Sequence, residues 1–471
     1  MVQYFHSVKL DREACKGCTN CIKRCPTEAI RVREGKAVIL EERCIDCGEC
    51  IRICPNHAKS ALTDPFTRLG DFAHRIALPA PSFYGQFRPE TPPEAFLQAL
   101  LKIGFDDVYE VPYAAEAVSQ AIRRYMEEHR YRRPLISSAC PAVVRLLQVR
   151  FPELLEQVIP VESPMEVAAY LAKDKASADL GLEKKKIGAF FISPCAAKVT
   201  AVKQPVGRAE SNVDGAFAMA AVYGEVLKHL GRGSAKRPPR RIRAGGLGIG
   251  WGRAGGENVA IGKGSLLAVD GIHSVIAVLE EVEKGRLHDV DYLEAQACIG
   301  GCIGGPLAVE NPFVARVRMK NLSEQSGQKG FQFSADELAN WYDQGLLTMS
   351  KKVAARPVMQ LDKDLQQAIT MTGTLERTVG ELPGLDCGSC GSPSCRTLAE
   401  DIVRGVAFET DCVFKLRDRV QVLAQEVLEL ARKVPPAMGQ KGPNANQGQG
   451  GASGQSPPGA VDGSPSGGQG R

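Results

Sequence analysis

Sixteen cysteines are the residues of this chain whose type and spacing could do chemistry. Two runs share the spacing C-x2-C-x2-C-x3-C-P, and they begin at Cys15 and Cys44. Three thiolates in so short a run can ligate three corners of an iron–sulfur cubane, while the fourth ligates the cubane of the other run. The two predicted [4Fe-4S] clusters are held by Cys15, Cys18, Cys21 and Cys54, and by Cys44, Cys47, Cys50 and Cys25. A zinc ribbon is the alternative, but two complete runs with trailing prolines disfavour it.

A third group of cysteines lies near the C-terminus, in the sequence LPGLDCGSCGSPSC at 382–395. Its thiolates and one later cysteine suit another [4Fe-4S] cluster, with zinc as the rival because four thiolates also suit zinc. The predicted ligands are Cys387, Cys390, Cys395 and Cys412. This group resembles a small C-terminal iron–sulfur domain of electron-transfer and acetyl-CoA-pathway proteins, and the N-terminal double run resembles two-cluster bacterial ferredoxins.

The remaining cysteines are scattered in sequence, so that only the fold could unite them. They are Cys140, Cys195, Cys298 and Cys302. Three apolar runs, at 134–140, 186–195 and 292–298, each end in one of them, and amphipathic stretches lie between these runs. Strands that alternate with helices imply a largely parallel sheet, and ligands gather at the carboxyl ends of such strands. We therefore predict that the four thiolates converge there; four unrelated buried thiols are the alternative.

Three segments around these cysteines resemble, in order, the active-site motifs of the [FeFe]-hydrogenase family. SSACPAVV, with the later PELL and SP, resembles the first motif, ISPCAAK the second, and EAQACIGGCIGGP the third. The likeness extends from about residue 80 to about residue 312, with the ferredoxin-like module in front. Three motifs in the family's order are far more specific than any one of them alone.

The resemblance implies an H-cluster, which is a [4Fe-4S] cubane joined through one cysteine to a two-iron unit with CO, CN and a bridging dithiolate. Carried over by position, the cubane ligands are Cys140, Cys195, Cys298 and Cys302, with Cys302 as the bridge. Lys198 and Ser163 match residues that contact the cyanides, for which an ammonium and a hydroxyl are suitable partners. The implied activity is that of an iron hydrogenase of the ferredoxin-linked type, interconverting H2 with protons and electrons.

The chain departs from the family's pattern at the positions that move protons. Ala139 stands where productive members carry a relay cysteine, and a methyl group cannot carry a proton. Further departures are Met165, Ser193 and Gln296 beside the motifs, and Ile122 and Tyr125 where proton-path glutamates are expected. The same changes resemble the sensory-type branches of the family, and they favour slow turnover.

The resemblance therefore predicts an H-cluster protein of low turnover that acts as an H2 or redox sensor. One alternative is a conventional catalytic hydrogenase with a different proton path. The other is a hydrogenase-like iron–sulfur assembly scaffold that lacks the two-iron unit. The partners implied are H2 and protons, a redox carrier such as ferredoxin, hydrogenase maturation proteins and a signalling partner.

Composition excludes several other classes of protein. The net charge is only +5, aromatic residues make up 6% of the chain, and no basic stretch is interleaved with them. We therefore expect no nucleic-acid binding. No run of about 18 apolar residues is present, so we expect no membrane span. The N-terminal sequence has no apolar signal core, which predicts a cytoplasmic protein. In that compartment sixteen cysteines indicate metal ligation rather than disulfides.

The predicted fold class is multidomain α/β. A ferredoxin-like α+β module (1–64) precedes an H-cluster α/β domain with mostly parallel sheets (65–357) and a small iron–sulfur domain (358–412). A coiled-coil helix (413–434) and a disordered tail (435–471) follow. The helix repeats valine and leucine at a 3-4 spacing from Val413, which favours a parallel two-stranded coiled coil and hence a homodimer. A helix packed on its own domain is the alternative.

Overall fold

The computed structural model describes residues 5–129, 133–230, 243–327 and 333–433. Residues 1–416 form one compact unit, and residues 417–471 form another. The tail predicted at 435–471 lies outside the described residues, as does the end of the predicted helix at residue 434. The domain boundaries within the first unit remain predictions.

Strands and helices alternate along much of the chain that the structure describes. The strands are β1 Val8–Leu10, β2 Ile30–Arg33, β3 Lys36–Ile39, β4 Lys59–Ala61, β5 His74–Pro79, β6 Asp107–Val108, β7 Leu135–Ile136, β8 Ile187–Ser193, β9 Gly215–Ala218, β10 Leu266–Asp270 and β11 Tyr292–Gln296. The helices are α1 Asn20–Lys23, α2 Glu49–Arg52, α3 Pro93–Ile103, α4 Val111–Glu128, α5 Pro141–Arg150, α6 Pro164–Leu180, α7 Ala196–Lys203, α8 Met219–His229, α9 Gly246–Gly250, α10 Gly256–Ile261, α11 Ile272–Glu283, α12 Pro312–Gln325, α13 Ala335–Asp343, α14 Leu365–Glu381, α15 Cys395–Val403 and α16 Val413–Arg432.

The N-terminal module is built from two antiparallel pairs, β1 with β4 and β2 with β3. The one-turn helices α1 and α2 each carry the third cysteine of a run. Tight turns precede these helices, and Gly17 shows why glycine is needed: its φ is +64°, and an added Cβ would overlap the backbone of Gly35. This mixture of short strands and helices is the α+β module that the cysteine spacing predicts.

Two parallel sheets form the centre of the molecule. One has the order β6-β5-β8-β9 and the other the order β10-β11-β7, and every pairing within them is parallel. Strand β8 is buried along its whole length, as expected for a parallel strand covered by helices on both faces. The prediction of a mixed α/β domain with mostly parallel sheets is confirmed.

The C-terminal region has a small core of its own between α14 and α15. Leu375 and Leu382 pack there with Leu398 and Ala399. The apolar seam of α16 is exposed, with Val420, Leu423 and Val427 at 55%, 44% and 63% of full exposure, so its pairing remains a prediction. Among the helices described between residues 5 and 433, none combines the length and apolarity needed to cross a membrane.

Candidate metal centres and active site

The scattered cysteines follow the carboxyl ends of three parallel strands. Cys140 comes after β7 and is the N-cap residue of α5, which begins with a proline. Cys195 comes after β8 and is the N-cap of α7, and Cys298 follows β11. Strands β7 and β11 are neighbours in one sheet and β8 belongs to the other, so the packing of the two sheets brings together thiols that are far apart in the chain.

The four thiols share one site in the interior. Burial raises the pKa of Cys195, and the neighbouring Cys298, Cys302 and Cys140 raise it further. Burial also raises the pKa of Cys302 to about 12, while the nearby Lys198 ammonium opposes this shift. All sixteen cysteines of the chain are free thiols. Four thiolates side by side away from water need bound cations to offset their charge, so this donor set fits an iron–sulfur cubane.

The loop between Cys298 and Cys302 takes its shape from two glycines. Gly300 and Gly301 have φ values of +81° and +90°, which side chains rarely adopt. A Cβ on Gly301 would lie 2.6 Å from the backbone nitrogen of Ala254. The glycines thus turn the chain back at once, and both cysteines face the same site.

A cavity opens directly beside these thiols. Its walls include Ala139, Cys140, Lys198, Glu257, Gln296 and Cys302. The Lys198 ammonium donates to the backbone carbonyl of Ala139 at 3.1 Å, which fixes a positive charge at the wall. Ser163 instead lines an adjoining cavity with Glu162 and Arg208, and Met165 forms part of both walls. The structure therefore places Lys198 at the candidate active site and Ser163 one layer away.

Glu257 is a residue at this cavity that the sequence analysis missed. It is almost fully buried, and it accepts hydrogen bonds from Ser137 Oγ at 3.0 Å and from Tyr292 OH at 2.5 Å. Glu294 lies close enough to interact with it electrostatically. Burial raises the pKa of both carboxyls, and the proximity of Glu257 raises that of Glu294 further. The cavity wall thus holds a carboxyl group that can exist in either protonation state.

The positions predicted for the missing proton path offer no carboxyl group to the cavity. Ile122 and Tyr125 are buried in the core on α4. The two glutamates that follow are exposed, and they pair with Lys263 at 2.7 Å and Arg124 at 2.9 Å. These glutamates, Glu127 and Glu128, are absent from the residues that line the cavity.

The N-terminal cysteines gather into two groups. The proximity of Cys18 and Cys15 raises the pKa of Cys21. Cys25 instead lies near the second run, where it raises the pKa values of Cys44 and Cys47. The second group therefore has the crossed arrangement that the spacing predicts. Cys54 accepts a hydrogen bond from the backbone nitrogen of Ala58 at 3.3 Å and packs in the same core as the first group.

The second cysteine run packs directly against the central site. Arg52, between Cys50 and Cys54, donates to the carbonyl of Gly304 at 2.7 Å and lies 3.9 Å from the Cys298 sulfur. A Cβ on Gly48 would overlap Pro306, so the two loops are in close contact. The ferredoxin-like module and the central thiols are therefore immediate neighbours.

The C-terminal cysteines also come together. Burial raises the pKa of Cys390, and the nearby Cys387 and Cys412 raise it further. The backbone nitrogen of Cys395 donates to Asp386 Oδ1 at 2.6 Å, which holds the loop closed. Cys387 is exposed and Cys412 is buried, so one side of this centre faces solvent. Four thiols suit either a cubane or zinc.

Three family models match the chain. Residues 73–221 match the iron only hydrogenase large subunit, C-terminal domain; residues 7–55 match a 4Fe-4S dicluster domain; and residues 382–414 match an Fe-S cluster model. Both cysteine-rich segments thus match models of iron–sulfur domains, which supports the predicted [4Fe-4S] clusters. The matched central region contains two of the four scattered cysteines.

Curated relatives are hydrogenases for the most part. The periplasmic [Fe] hydrogenase large subunit of Nitratidesulfovibrio vulgaris is 30% identical over 212 residues, which are 41% of this chain and 50% of the relative. The NADP-reducing hydrogenase subunit HndD of Solidesulfovibrio fructosivorans is 23% identical over 210 residues, 43% of this chain and 32% of that protein. The chain thus spans half or less of these relatives' length.

Two further comparisons concern an assembly factor and a solved structure. A cytosolic Fe-S cluster assembly factor NAR1 homolog of Schizosaccharomyces japonicus is 36% identical over 62 residues, 13% of this chain and 12% of that protein. A variant of [FeFe]-hydrogenase HydA1 from Chlamydomonas reinhardtii aligns with 62% of this chain and 98% of its own at 14% identity, with a TM-score of 0.49.

Proposed function

We propose that this chain, whose residues 73–221 match the iron only hydrogenase large subunit, C-terminal domain, is an [FeFe]-hydrogenase-family protein that binds an H-cluster and interconverts H2 with protons and electrons slowly, as an H2 or redox sensor. The observation that carries this proposal is the convergence of four buried or partly buried cysteines beside a cavity whose wall holds Lys198 and Ala139. When bound, the H-cluster supplies the redox chemistry of 2H⁺ + 2e⁻ ⇌ H2, and the protein holds and tunes it.

Each proposed ligand has a defined task. Cys140, Cys195, Cys298 and Cys302 would hold the cubane, and Cys302 would also bridge to the two-iron unit. The Lys198 ammonium would bind an anionic diatomic ligand, because it is the positive charge held at this cavity wall by the Ala139 carbonyl. Ser163 lies in the adjoining cavity, so Met165 would separate its hydroxyl from the H-cluster.

Slow turnover follows from what surrounds the cavity. The side chain next to Cys140 is the Ala139 methyl, which can neither donate nor accept a proton. On α4, Ile122 and Tyr125 occupy the positions where proton-path glutamates are expected, and both are buried in the core. A positioned proton-transfer group typically contributes about 10²–10⁴-fold to a rate, so its loss would leave a protein that reports H2 better than it turns H2 over.

Glu257 favours a second candidate, a conventional hydrogenase with another proton path. It lines the same cavity, and Ser137 links it to the backbone nitrogen of Ala139 through hydrogen bonds of 3.0 and 3.2 Å. A carboxyl whose pKa is raised toward neutrality by burial can take up and release protons. Exchange of Glu257→Gln would abolish H2 evolution in this case and leave a slow sensor's rate nearly unchanged.

The likeness to an assembly factor supports a scaffold as the third candidate, and infrared spectroscopy separates it from the other two. The full chain is reconstituted with iron and sulfide and then incubated with a synthetic dithiolate-bridged two-iron complex. We expect CO and CN bands that persist after desalting, together with H2/D⁺ exchange and a low H2 evolution rate. Absent bands would establish the scaffold, and a high rate would exclude the slow sensor. Cys302→Ala is the control for adventitious binding.

The remaining assignments belong to the same proposal. We propose a redox carrier of the ferredoxin type as electron partner, maturation proteins as suppliers of the two-iron unit, a homodimer formed through α16, and a cytoplasmic location. Dimerisation next to Cys412 would give a signalling partner a surface to read.

A further inference from the structure

The loop that holds the C-terminal cysteines lies directly on the ferredoxin-like module. Lys23 Nζ donates to the carbonyls of Pro393, at 3.0 Å, and of Asp386. The backbone nitrogen of Val32 donates to the carbonyl of Gly391 at 2.7 Å. Gly388 has a φ of +77°, which side chains rarely adopt, and a Cβ there would lie 3.0 Å from the Lys23 side chain. The backbone of the cysteine loop therefore forms part of the interface.

Ion pairs in the interior fix the same interface. Asp401 accepts hydrogen bonds from Arg31 Nε at 2.6 Å and Arg31 Nη2 at 2.9 Å, and from Arg33 Nη2 at 2.9 Å. The Arg31 and Asp401 side chains are 4% and 6% exposed. Beside them Arg43 pairs with Glu400. Burying a charged side chain costs free energy because the charge loses its contact with water. Well-aligned ion pairs offset this cost in one geometry, so these pairs specify a single docked position.

The docked position brings ligands of two predicted clusters next to each other. Ile22 and Lys23 follow Cys21 directly, and both side chains approach Gly388, which follows Cys387. On the far side of the module, Arg52 reaches the Cys298 sulfur. Between these points, Cys21 and Cys50 of the two N-terminal groups interact electrostatically. Close contacts on both sides of the module, joined by this interaction and by the packing of α1 on α2, thus connect the C-terminal loop to the central thiols.

We propose that the C-terminal domain is the outer end of an electron relay that continues through both N-terminal clusters to the central site, with Asp401 as the positioning residue that docks it. The exposed thiol of Cys387 marks the end where electrons would enter. In each transfer a reduced one-electron carrier would be oxidised as it gives one electron to the C-terminal cubane, and that cubane would be reoxidised as it passes the electron to the N-terminal cubanes. Two such transfers supply the electrons of one H2, the one step that rests on the proposed function.

The test uses the full chain loaded with cubanes only, so that it does not depend on the two-iron unit. After complete reduction, low-temperature electron paramagnetic resonance should show broadened, rapidly relaxing signals from magnetically coupled clusters. Cys387→Ala should lose one cubane of iron and part of this broadening. Asp401→Asn should keep its iron and lose the same broadening. Glu376→Gln, which removes the exposed ion pair with Arg396 within the same domain, should match the wild type.

Several outcomes would overturn the relay. A wild-type spectrum equal to the sum of the Cys387→Ala spectrum and an isolated cubane signal would show that the clusters are not neighbours. An unchanged spectrum in Asp401→Asn would remove the positioning role; if that variant loses iron, the half-exposed Arg33→Gln gives the same test. If ferredoxin reduces Cys387→Ala and the wild type at equal rates, electrons do not enter at the C-terminal cluster, and the exposed Cys18 would mark the entry point instead. Failure of the infrared experiment alone would leave the relay standing.

Discussion

The N-terminal cysteine runs and the central cysteine site gather four thiols in opposite ways. Each N-terminal run supplies three thiols from one short loop, and Cys18 is exposed to solvent. The central thiols come from three strand ends, and Cys298 is buried next to Arg52. Two neighbouring loops of one small module can hold the N-terminal clusters between them, whereas the central site exists only when both sheets are assembled. The two kinds of site should therefore respond differently to the same substitutions.

The loss of one ligand should separate the two sites most strongly. We expect Cys298→Ala to abolish the CO and CN bands after loading with the two-iron complex, because the central cubane loses a ligand that no nearby loop can replace. We expect Cys18→Ala to lose one N-terminal cluster and keep the bands. Iron analysis and infrared spectra of the two loaded variants measure this difference. Full bands in Cys298→Ala would show that the four thiols do not act as one ligand set.

A buried charge should matter more at the central site than a surface charge on the same helix. Lys198→Met removes the ammonium that opposes the thiolate charge, and loss of such a supporting group typically costs about 10–100-fold in metal affinity. We expect that loss in an infrared-monitored titration with the two-iron complex. Lys203 also lies on α7, at the surface, and pairs with Asp64 at 2.7 Å. The Lys203→Met variant should bind the two-iron complex with the affinity of the wild type. Equal affinities in both variants would remove Lys198 from the site.

The wall beside Cys140 tests whether one relay residue is all that fast turnover lacks. We expect Ala139→Cys alone to raise H2 evolution by far less than the roughly 10²–10⁴-fold of a positioned proton-transfer group, because Ile122 and Tyr125 stand where proton-path glutamates are expected. Ala139→Val is the control, because valine is similar in size to cysteine but has no proton that it can transfer. A gain in the full range for the cysteine variant would show that the relay was the single break and would favour a conventional catalyst.

These two regions also show how far sequence reasoning reaches. Fixed spacing within one loop predicts the N-terminal ligand sets, because three thiols a few residues apart can reach three corners of one cubane. Prediction of the central set requires the alternation of strands and helices in addition, and in the structure Cys140, Cys195 and Cys298 follow β7, β8 and β11. Only long-range packing decides which other side chains reach the cavity. Glu257 therefore escaped prediction, and Ser163 lies a layer further from the cavity than motif matching suggests.

The adjoining cavity predicts a pH dependence of stability. Burial, followed by the proximity of Glu166, raises the pKa of Glu162 from the ordinary 4.5 to about 7, and Arg208 at 3.5 Å opposes this. The folded protein must ionise this carboxyl at a cost, so its stabilising contribution is complete below pH 4.5 and is lost as the pH rises through about 7. The loss amounts to about 3 kcal/mol at most.

Thermal unfolding of the cubane-loaded protein at pH 5 and pH 8 measures this effect. We expect a smaller drop in melting temperature between the two pH values in Glu162→Gln than in the wild type. The exposed Glu153→Gln should show the wild-type drop. Identical drops in all three proteins would mean that Glu162 ionises freely and that the adjoining cavity is solvated.

The smallest effect is expected where no core enforces the structure. Three heptads of exposed valine and leucine on α16 should pair weakly, with about 1.5–3 kcal/mol from each leucine buried. In sedimentation experiments we expect dimers for the wild type and for Gln425→Asp, which lies off the seam, and monomers for Leu423→Asp. Because α16 begins directly after Cys412, reduction of the C-terminal cluster should shift the dimer affinity if the helix reports its state. A monomeric wild type would leave the central site and its relay intact and remove the helix as an output.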